Sequence, residues 1–420
     1  MKRILMVAFH FPPLGFGSGI ERTLSFVRHL PEFGWEPFVL SVHPRAYDFV
    51  DLDSLARIPE SAKVRRAFCV DAKKDLSIRG RYLDCTAMPD RWASWRFDAV
   101  RQGNRVLREF KPDVIWSTYP IATAHVIAAA LNRRSLIPWI ADFRDPMLQH
   151  DYPVEPARRR SFEMIEKQTV GQANFSVFAA PGATRDYQLR YRAYAERIRL
   201  LENGYDEDSF TAPIGSGVAS AERGNGPLLV LHSGVIYPSE RDPRPFFEAL
   251  ARIARADRIG SRGLRVRFRA SHQENLLRSL AAEFRVESLI EVLPPIPHQE
   301  ALREMLLADG LLILQASNCN AQIPAKLYEY LRAGRPILGL TDPSGDTAAT
   351  LRKAGVSAIA PLDSAEAIEA ALPAFIATLR HVNEPLPNPG MVAAAARKER
   401  TGELAQLLEQ AACKGAPGRR

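Results

Sequence analysis

Apolar residues in the first half of the chain gather in short continuous runs, and each run leads into a stretch with helical spacing. The stretches that contain these runs are residues 2–9, 35–42, 111–118 and 137–146, the last of which ends in charged residues. A continuous apolar run is typical of a parallel strand that is buried on both faces, because a half-exposed strand alternates apolar and polar residues. Helical spacing follows, for example, over 20–30 and 122–131. This alternation predicts a doubly wound α/β domain.

A second domain of the same kind follows a linker. Residues 211–227 are rich in Gly, Ala and Ser, as linkers often are. Beyond them, short apolar runs again alternate with helical patterns, at residues 228–234, 264–270, 290–293, 310–315, 336–340 and 356–360. We predict Rossmann-like domains over 1–210 and 228–390, a terminal helix over 391–413 and a tail over 414–420.

Composition narrows the class of protein. The chain has 420 residues, of which 46% are hydrophobic and 25% charged, so it is long enough for two globular domains. No apolar run approaches the roughly 18 residues of a membrane helix, and the run at 4–9 is too short for a signal peptide. The four cysteines form no CxxC pair, which disfavours a zinc site or a disulfide framework. We expect a cytoplasmic protein.

The formal charge of +8 favours an anionic partner. The arginines are interleaved with glutamates, and neither a helix-turn-helix cue nor an aromatic or zinc-finger pattern for nucleic acid is present. We therefore expect no nucleic acid partner. Sugar nucleotides and an anionic membrane surface fit the charge better.

The segment at 323–340 places charged groups around a helix start. Pro324 suits the first helical position, and Gly334 ends the helix. The helix start offers unpaired N–H groups, so a phosphate can bind there beside Lys326. Glu329 lies three residues further on the same face, where it can accept hydrogen bonds from sugar or ribose hydroxyls. The alternative is an ordinary surface ion pair on an amphipathic helix.

The run IPAKLYEYLRAGRPILGL over this segment closely resembles the donor-binding segment of family-4-like glycosyltransferases with the two-domain GT-B fold. The resemblance covers nearly the whole chain and is most specific at 137–146, 201–206, 231–244 and 323–340. It implies two Rossmann-like domains facing a cleft, with the donor held mainly by the second and the acceptor by the first. It also implies that the terminal helix crosses back to the first domain.

The resemblance assigns Glu329 to the second position of a glutamate pair spaced E-x(7)-E, which holds donor hydroxyls. The first glutamate is absent, because Ala321 stands there between Asn320 and Gln322. Contacts to the transferred sugar must then come from amides or from backbone.

The segment 228–244 resembles the family's second glycine-rich turn, whose basic residues meet the donor diphosphate. Arg241 or Arg244 would supply that charge together with Lys326, since arginine suits bidentate contacts to phosphate. We expect Arg241, Lys326 and Glu329 to act in catalysis, and no residue stands out as a general base. The donor-binding candidates are Gly234, Arg241, Arg244, Pro324, Ala325, Lys326, Leu327 and Glu329.

The first domain holds the acceptor-side candidates. Glycines in the loop after the first strand let backbone approach a ligand closely, although their spacing is not the GxGxxG of dinucleotide folds. A later strand runs into Asp142, Arg144 and Asp145, which either serve the acceptor or form an internal salt bridge on one strand face. The candidates are Gly15, Gly17, Gly19, Asp90, His125, Asp142, Arg144 and Asp145.

Three of these polar positions have structural alternatives. Asp90 either caps the helix that follows it or contacts the acceptor, and His125 is either a packed histidine or an acceptor-side contact that the resemblance implies. Asp51-Leu-Asp53 is a D-x-D triplet, but its context favours helix capping over metal binding. We therefore predict no metal and no cofactor.

These features predict a glycosyltransferase that moves a sugar from a nucleotide diphosphate sugar to a glycan or lipid-linked acceptor in polysaccharide or glycoconjugate biosynthesis. The family's usual pattern implies retention of configuration without an essential metal. A non-hydrolysing sugar-nucleotide epimerase remains an alternative, but it needs acid and base carboxylates around one sugar. A catalytically silent binding subunit also remains, because the first glutamate is missing. The sequence specifies neither sugar, nucleotide nor acceptor.

Arginines in two adjacent amphipathic segments of the first domain suggest peripheral contact with the inner face of an anionic membrane. Solvated helix faces are the alternative. The arginines concerned are Arg158, Arg159, Arg160, Arg185, Arg190 and Arg192.

Overall fold

The computed structural model describes residues 1–15, 17–79, 81–149, 152–210, 226–259, 263–380 and 388–415. The chain separates into two compact units. Unit 1 comprises Met1–Asn203 and Arg397–Arg420, and unit 2 comprises Gly204–Ala396. Most of the predicted linker, 211–225, and residues 416–420 of the predicted tail lie outside the described residues.

Unit 1 is built on a seven-stranded parallel sheet with the strand order β3-β2-β1-β4-β5-β6-β7. The chain winds outward from β1 in one direction and then, from β4, in the other, which is the order of a Rossmann fold. The central strands are buried on both faces, as their continuous apolar runs predict. The strands are β1 Lys2–Val7, β2 Trp35–Val42, β3 Lys63–Ala67, β4 Val114–Thr118, β5 Trp139–Arg144, β6 Phe175–Phe178 and β7 Ile198–Leu200.

Helices cover this sheet. Leu24 of the first helix packs with Ile4, Trp116 and Leu408 in one apolar core. Since Leu408 belongs to the last helix of the chain, that helix completes the core of unit 1. The helices of unit 1 before residue 204 are α1 Ser18–His29, α2 Ala72–Asp75, α3 Trp95–Glu109, α4 Ala122–Ser135, α5 Pro156–Gln172 and α6 Pro181–Arg190.

Unit 2 is built on a six-stranded parallel sheet with the strand order β10-β9-β8-β11-β12-β13. The winding direction again reverses, here between β8 and β11. The strands are β8 Leu228–Ser233, β9 Leu264–Arg269, β10 Ile290–Leu293, β11 Gly310–Gln315, β12 Ile337–Thr341 and β13 Ile359–Ala360.

The helices of the remaining chain begin with α7 Glu207–Phe210. The others in unit 2 are α8 Arg244–Arg255, α9 Glu274–Phe284, α10 His298–Leu307, α11 Ala325–Ala333, α12 Asp346–Lys353, α13 Ala365–Arg380 and α14 Pro389–Ala394, and α15 Arg397–Gly415 returns to unit 1. No helix within the described ranges combines the length and the apolar composition needed to cross a bilayer.

The end of the chain differs from its sequence pattern. We predict one helix over 391–413, but the structure has two, α14 and α15. The break falls where the Ala395 carbonyl accepts a hydrogen bond from the backbone N–H of Tyr205, at 3.1 Å. Lys414 and Gly415, which the sequence assigns to the tail, are helical.

Candidate functional site

In unit 2, the loops that follow β8 and β11 are joined to each other. The backbone N–H of Ala316 donates to the Glu240 carbonyl at 2.7 Å, and Asn318 Nδ2 donates to the Ser239 carbonyl at 3.1 Å. In an open parallel sheet, a ligand binds outside the carboxyl ends of the strands at the point where the winding reverses. This edge of unit 2, with the start of α11 beside it, is therefore the candidate donor site.

Helix α11 carries the predicted lysine and glutamate pair. Lys326 Nζ lies 3.3 Å from Glu329 Oε2, so the predicted shared face is confirmed. Pro324 is the N-cap rather than the first helical residue, and Gly334 ends the helix with a φ of 67°. The backbone N–H of Ser233 donates to the Tyr330 hydroxyl at 2.8 Å, which ties the helix to the end of β8.

Leu327 and Ala325 differ in how accessible they are to a bound nucleotide sugar. Leu327 is fully buried in the core, and its backbone N–H donates to the Pro324 carbonyl at 2.9 Å. Its side chain and its N–H are therefore both engaged, which corrects its assignment as a donor contact. Ala325, at the first position of α11, remains half-buried.

Gly234 brings the β8 loop against Lys326. Its φ of 145° is strained for any residue with a side chain. A Cβ atom placed there would lie 3.8 Å from Lys326 Cε. The glycine turn after β8 and the start of α11 are thus neighbours.

The two candidate arginines take different partners. Arg241 Nη1 donates to the Val235 carbonyl at 2.5 Å, and its guanidinium lies over the Tyr237 ring, so it stays with the β8 loop. Arg244 instead donates to Glu283 Oε1 of α9 at 2.5 Å, in a half-exposed pair. Arg244 is therefore paired with α9, and of the two arginines only Arg241 is bonded to the β8 loop.

Histidine 232, which sequence reasoning missed, lies under these cations. His232 Nδ1 donates to the Leu312 carbonyl at 2.9 Å. Burial, helped by the nearby charges of Arg241 and Lys326, lowers the pKa of His232 to about 4. The ring is neutral at neutral pH, so the positive charge at this edge belongs to Arg241 and Lys326.

Three buried oxygens at the same edge accept no hydrogen bond from the described residues: Glu329 Oε2, Gln315 Oε1 and Asn320 Oδ1. Hydrogen bonds from the side-chain nitrogens of Gln315 and Asn320 fix the orientation of the two amide groups. Gln315 Nε2 donates to the carbonyls of Cys319 and Gln322, at 3.0 and 3.1 Å, and Asn320 Nδ2 donates to Asp342 Oδ2 at 2.6 Å. Buried acceptors without partners are uncommon and call for a donor from outside the protein. The hydroxyls of a sugar are such donors.

Gln315 and Asn320 could have been found from the sequence only in part. The absent first glutamate at Ala321 already directs attention to the neighbouring amides. Gln315 gives no such signal, because it reads as the last residue of an apolar strand.

In unit 1, the predicted glycine loop is filled by the protein's own side chains. A Cβ atom at Gly19 would lie 2.5 Å from Arg144 Nη1 and 2.7 Å from His10 Nδ1, and one at Gly15 would lie 2.1 Å from the Phe49 ring. The close approach that these glycines permit is therefore made by protein groups. At Gly17, a φ of 136° gives a separate reason for glycine.

Asp142 forms a buried ion pair, but its partner is Arg22 rather than Arg144. Arg22 Nε and Nη2 donate to the two carboxylate oxygens at 2.9 and 3.1 Å, and Thr118 Oγ1 donates to Oδ2 at 3.2 Å. Both members of the pair are buried. The alternative of an Asp142–Arg144 salt bridge on one strand face does not fit, since the β5–β6 register shifts between these residues and Arg144 takes a φ of 61°.

Arg22 also binds the segment that follows β7. Its Nη2 donates to the Leu201 carbonyl and its Nη1 to the Glu202 carbonyl, both at 2.9 Å. This arginine lies in a helical pattern on α1 that gives no sign of a buried charge, so sequence reasoning missed it. With its carboxylate fully engaged, Asp142 stabilises unit 1 and offers no oxygen to an acceptor.

Two of the remaining acceptor-side candidates, Asp90 and His125, have structural partners. Asp90 Oδ2 accepts from the Thr123 backbone N–H at 2.9 Å, so Asp90 caps α4 and not α3, the helix that follows it. His125 is fully buried, its Nδ1 lies 2.8 Å from Ser117 Oγ, and burial lowers its pKa to about 3. The packed-histidine alternative fits this geometry. Burial also raises the pKa of Asp145, at the end of β5.

The D-x-D triplet caps a helix, as expected. Asp51 is the N-cap of a 3₁₀ helix over Leu52–Arg57, and its Oδ1 accepts from the Asp53 backbone N–H at 3.1 Å.

A cavity of about 570 Å³ lies between α5, α6 and the loop after β5. Its buried carboxylate, Glu166, accepts from the Tyr191 hydroxyl at 2.7 Å and from Arg190 Nη1 at 2.9 Å. Arg159 Nη1 donates to the Gln149 carbonyl at 2.9 Å. Arg190 and Arg159, two of the arginines predicted for a membrane face, therefore make contacts within unit 1.

Comparison with known proteins agrees with this architecture. Residues 18–204 match a family model described as a glycosyl transferase 4-like domain. No curated protein matches the chain in sequence. Solved structures with 11–15% sequence identity cover both units. Similarity at this level of identity shows the fold alone.

These structures include sucrose-phosphate synthase from Thermosynechococcus elongatus, with a TM-score of 0.66, 15% identity, and coverage of 98% of this chain and 99% of that one. The α,α-trehalose 6-phosphate synthase from Burkholderia multivorans has a TM-score of 0.68 at 13% identity, with 100% of each chain covered. HepE from Anabaena, in complex with UDP and glucose, has a TM-score of 0.63 at 11% identity, with 98% and 100% covered. The predicted GT-B fold is confirmed.

Proposed function

We propose that this chain, which is a glycosyltransferase of the GT-B type with a glycosyl transferase 4-like domain over residues 18–204, moves a sugar from a nucleotide diphosphate sugar to a glycan or lipid-linked acceptor. The donor binds to unit 2 and the acceptor to unit 1. The reaction retains the anomeric configuration, requires no metal, and serves polysaccharide or glycoconjugate synthesis on the cytoplasmic side of a membrane.

One observation carries the proposal: the edge of unit 2 places two cations beside three buried oxygens. Gln315 Oε1 and Asn320 Oδ1 accept no hydrogen bond from the described residues, and Glu329 Oε2 has only its ion pair with Lys326. Lys326, Arg241 and the start of α11 suit a diphosphate, because phosphate oxygens accept from cationic groups and helix N–H groups. The oxygens of Glu329, Gln315 and Asn320 suit hydroxyls, which donate. A sugar diphosphate offers both kinds of group in one molecule.

This arrangement suggests how transfer is promoted. Negative charge builds on the diphosphate as the bond to the sugar breaks, and fixed positive groups stabilise that charge more than they stabilise the ground state. Glu329 and Asn320 would hold the sugar ring by its hydroxyls while the bond breaks. Asn320 thus takes up the role left by the missing first glutamate.

The nucleotide is proposed to be UDP. HepE, which shares the fold, is described in complexes with UDP, with UDP and glucose, and with UDP-glucose. A thermal-shift screen of the full chain against UDP-, GDP- and ADP-sugars tests this. We expect a UDP-sugar to raise the melting temperature. At a ligand concentration of a hundred times the Kd, the free energy of unfolding increases by about 2.7 kcal/mol. The shift should be the same when EDTA is present.

Two results would contradict this proposal. If no nucleotide sugar shifts the melting temperature, the donor site is wrongly assigned, and if the shift vanishes in EDTA, binding requires a metal. Binding without turnover against any acceptor would favour the silent binding subunit, which the alanine at position 321 keeps open. Anomeric analysis of the product tests retention.

The diphosphate contacts give a kinetic prediction. Lys326→Ala and Arg241→Ala should each lower kcat by about a hundredfold, with a smaller rise in the donor KM, because each removes a positive group that acts on developing charge. Arg244→Ala should change kcat far less, since Arg244 is paired with Glu283. Steady-state kinetics with varied donor measures both parameters.

An effect confined to KM would mean that Lys326 and Arg241 bind the donor without acting on the leaving group. An equally large loss in Arg244→Ala would return Arg244 to the diphosphate contact.

A further inference from the structure

The amide side chain of Asn320 is held in one orientation. Its Nδ2 donates to Asp342 Oδ2 at 2.6 Å. Because a carboxylate oxygen can only accept, the nitrogen of the amide faces Asp342 and the carbonyl oxygen points away from it. That oxygen, Asn320 Oδ1, is buried and accepts no hydrogen bond from the described residues. The amide is therefore fixed with an acceptor atom left over for a ligand.

The carboxylate that holds this amide is itself fixed. Asp342 Oδ1 accepts from the backbone N–H and from the hydroxyl of Ser344, both at 2.8 Å. The hydrogen bonds from Asn320 and Ser344 lower the pKa of the Asp342 carboxyl, so it is ionised at neutral pH and cannot donate. The carbonyl of Asn320 also accepts from the backbone N–H of Asp346, at 2.9 Å. The loop after β12 thus fixes both the backbone and the side chain of Asn320.

Gly345 leaves space beside the remaining oxygen. Its φ of −78° and ψ of 163° are angles that any residue adopts, so the backbone does not require glycine here. A Cβ atom at this position would lie 2.7 Å from Asn320 Oδ1, closer than such contacts normally come. A larger residue would press against that oxygen and block a hydrogen-bond donor from that side. The space next to Asn320 Oδ1 is therefore the reason for the glycine.

Gln315 presents its oxygen in the same way. Its Nε2 donates to the backbone carbonyls of Cys319 and Gln322, which only accept, so its Oε1 points away from them. This oxygen is also buried without a partner among the described residues. Glu329 adds a carboxylate, whose Oε2 lies 3.3 Å from Lys326 Nζ. Two amides and one carboxylate therefore present oxygen atoms at this edge of unit 2.

We propose that Asp342 and Gly345 make the sugar subsite of the donor site select a neutral sugar and reject a uronic acid. Asp342 acts through Asn320, by keeping the amide nitrogen away from the sugar, and Gly345 leaves the amide oxygen clear for a hydroxyl. A neutral sugar donates through its hydroxyls, whereas the carboxylate of a uronic acid has no proton to donate and is repelled by Glu329. The inference rests on the proposed function, because it takes this edge of unit 2 as the donor site.

Isothermal titration calorimetry of the full chain tests the proposal with UDP, UDP-glucose, UDP-N-acetylglucosamine and UDP-glucuronic acid. We expect one or both of the neutral sugar nucleotides to bind at least about tenfold more tightly than UDP-glucuronic acid, since like charges brought together in a site are strongly unfavourable. UDP alone measures the binding of nucleotide and diphosphate without a sugar. Binding of UDP-glucuronic acid as tightly as the neutral sugar nucleotides would overturn the proposal.

Two variants test the residues themselves. Asp342→Ala releases the amide of Asn320, so the affinity for the neutral sugar nucleotide should fall by about two- to tenfold, the contribution of one hydrogen bond. Its preference over UDP-glucuronic acid should narrow as well. Gly345→Ala should lower the same affinity by a similar factor. Asp342→Asn can still offer an oxygen to Asn320 and should keep most of the preference. The affinity for UDP should not change in any of them.

Asp309→Asn is the matched control. Asp309 Oδ2 accepts from the backbone N–H of Leu229 at 2.7 Å, so this aspartate also fixes a segment of unit 2, but before the start of β11. The control should keep the sugar preference of the unchanged protein. Equal losses of UDP and sugar-nucleotide affinity in Asp342→Ala and Gly345→Ala would assign both residues a structural role and overturn the proposal, as would an unchanged preference in both. If UDP itself does not bind, the proposed donor site is wrong and the subsite is lost with it.

Discussion

Replacing Glu329 by alanine is expected to abolish measurable sugar transfer and to weaken donor binding. The Glu329 side chain is 12% exposed, and its Oε2 lies 3.3 Å from Lys326 Nζ but accepts no hydrogen bond from the described residues. A hydrogen bond to a charged group contributes about 1.5–3 kcal/mol, so two sugar hydroxyls on this carboxylate correspond to a loss of at least about a hundredfold in kcat/KM. Kinetics with the donor found by thermal shift measures this loss.

Two further variants sharpen the result. Glu329→Gln keeps the volume and one acceptor oxygen, and should show an intermediate loss. Glu283→Ala removes a glutamate from a half-exposed pair outside the site and should leave transfer unchanged. Unaltered kinetics in Glu329→Ala would end the assignment of the donor site.

Replacing Arg22 by methionine is expected to cause the largest loss of stability among these variants. It leaves the Asp142 carboxylate buried without its cation, which costs about 3–5 kcal/mol. In a domain of this size the melting temperature falls by about 2–4 °C per kcal/mol, so the decrease should be readily visible in a thermal melt. Lys63→Met, which breaks an exposed pair with Glu36, should cost about 1 kcal/mol or less.

The double variant Arg22→Met with Asp142→Asn tests the cause. Removing both charges should restore part of the lost stability, because the uncompensated charge is the main cost. If Arg22→Met melts like Lys63→Met, or if the double variant is no better than the single one, the pair contributes less than its geometry indicates.

The most predictable parts of the fold were the elements that depend only on residues close together in the sequence. The central strands appear as continuous apolar runs because both faces of each are covered. β3 was not predicted, since its sequence KVRRA carries charges that an edge strand can leave half in solvent. Lys326 and Glu329 were paired correctly because helix geometry alone sets that distance.

Contacts between distant parts of the chain were not predictable in this way. Asp142 finds Arg22 across 120 residues, and Arg244 finds Glu283 across 39. No local pattern encodes either choice, and each changes a functional assignment. The resemblance directs attention to the loop after β8, and packing decides which of its two arginines contacts that loop.

The path of the chain has a consequence for the order in which the protein folds during synthesis. Unit 2 is continuous from Gly204 to Ala396, whereas unit 1 is interrupted and takes Leu404 and Leu408 from α15 into its core. Unit 2 can therefore fold as soon as it leaves the ribosome. Unit 1 is translated first but stays incomplete until residues 397–415 emerge, and until then its apolar surface beside α1 is open to aggregation.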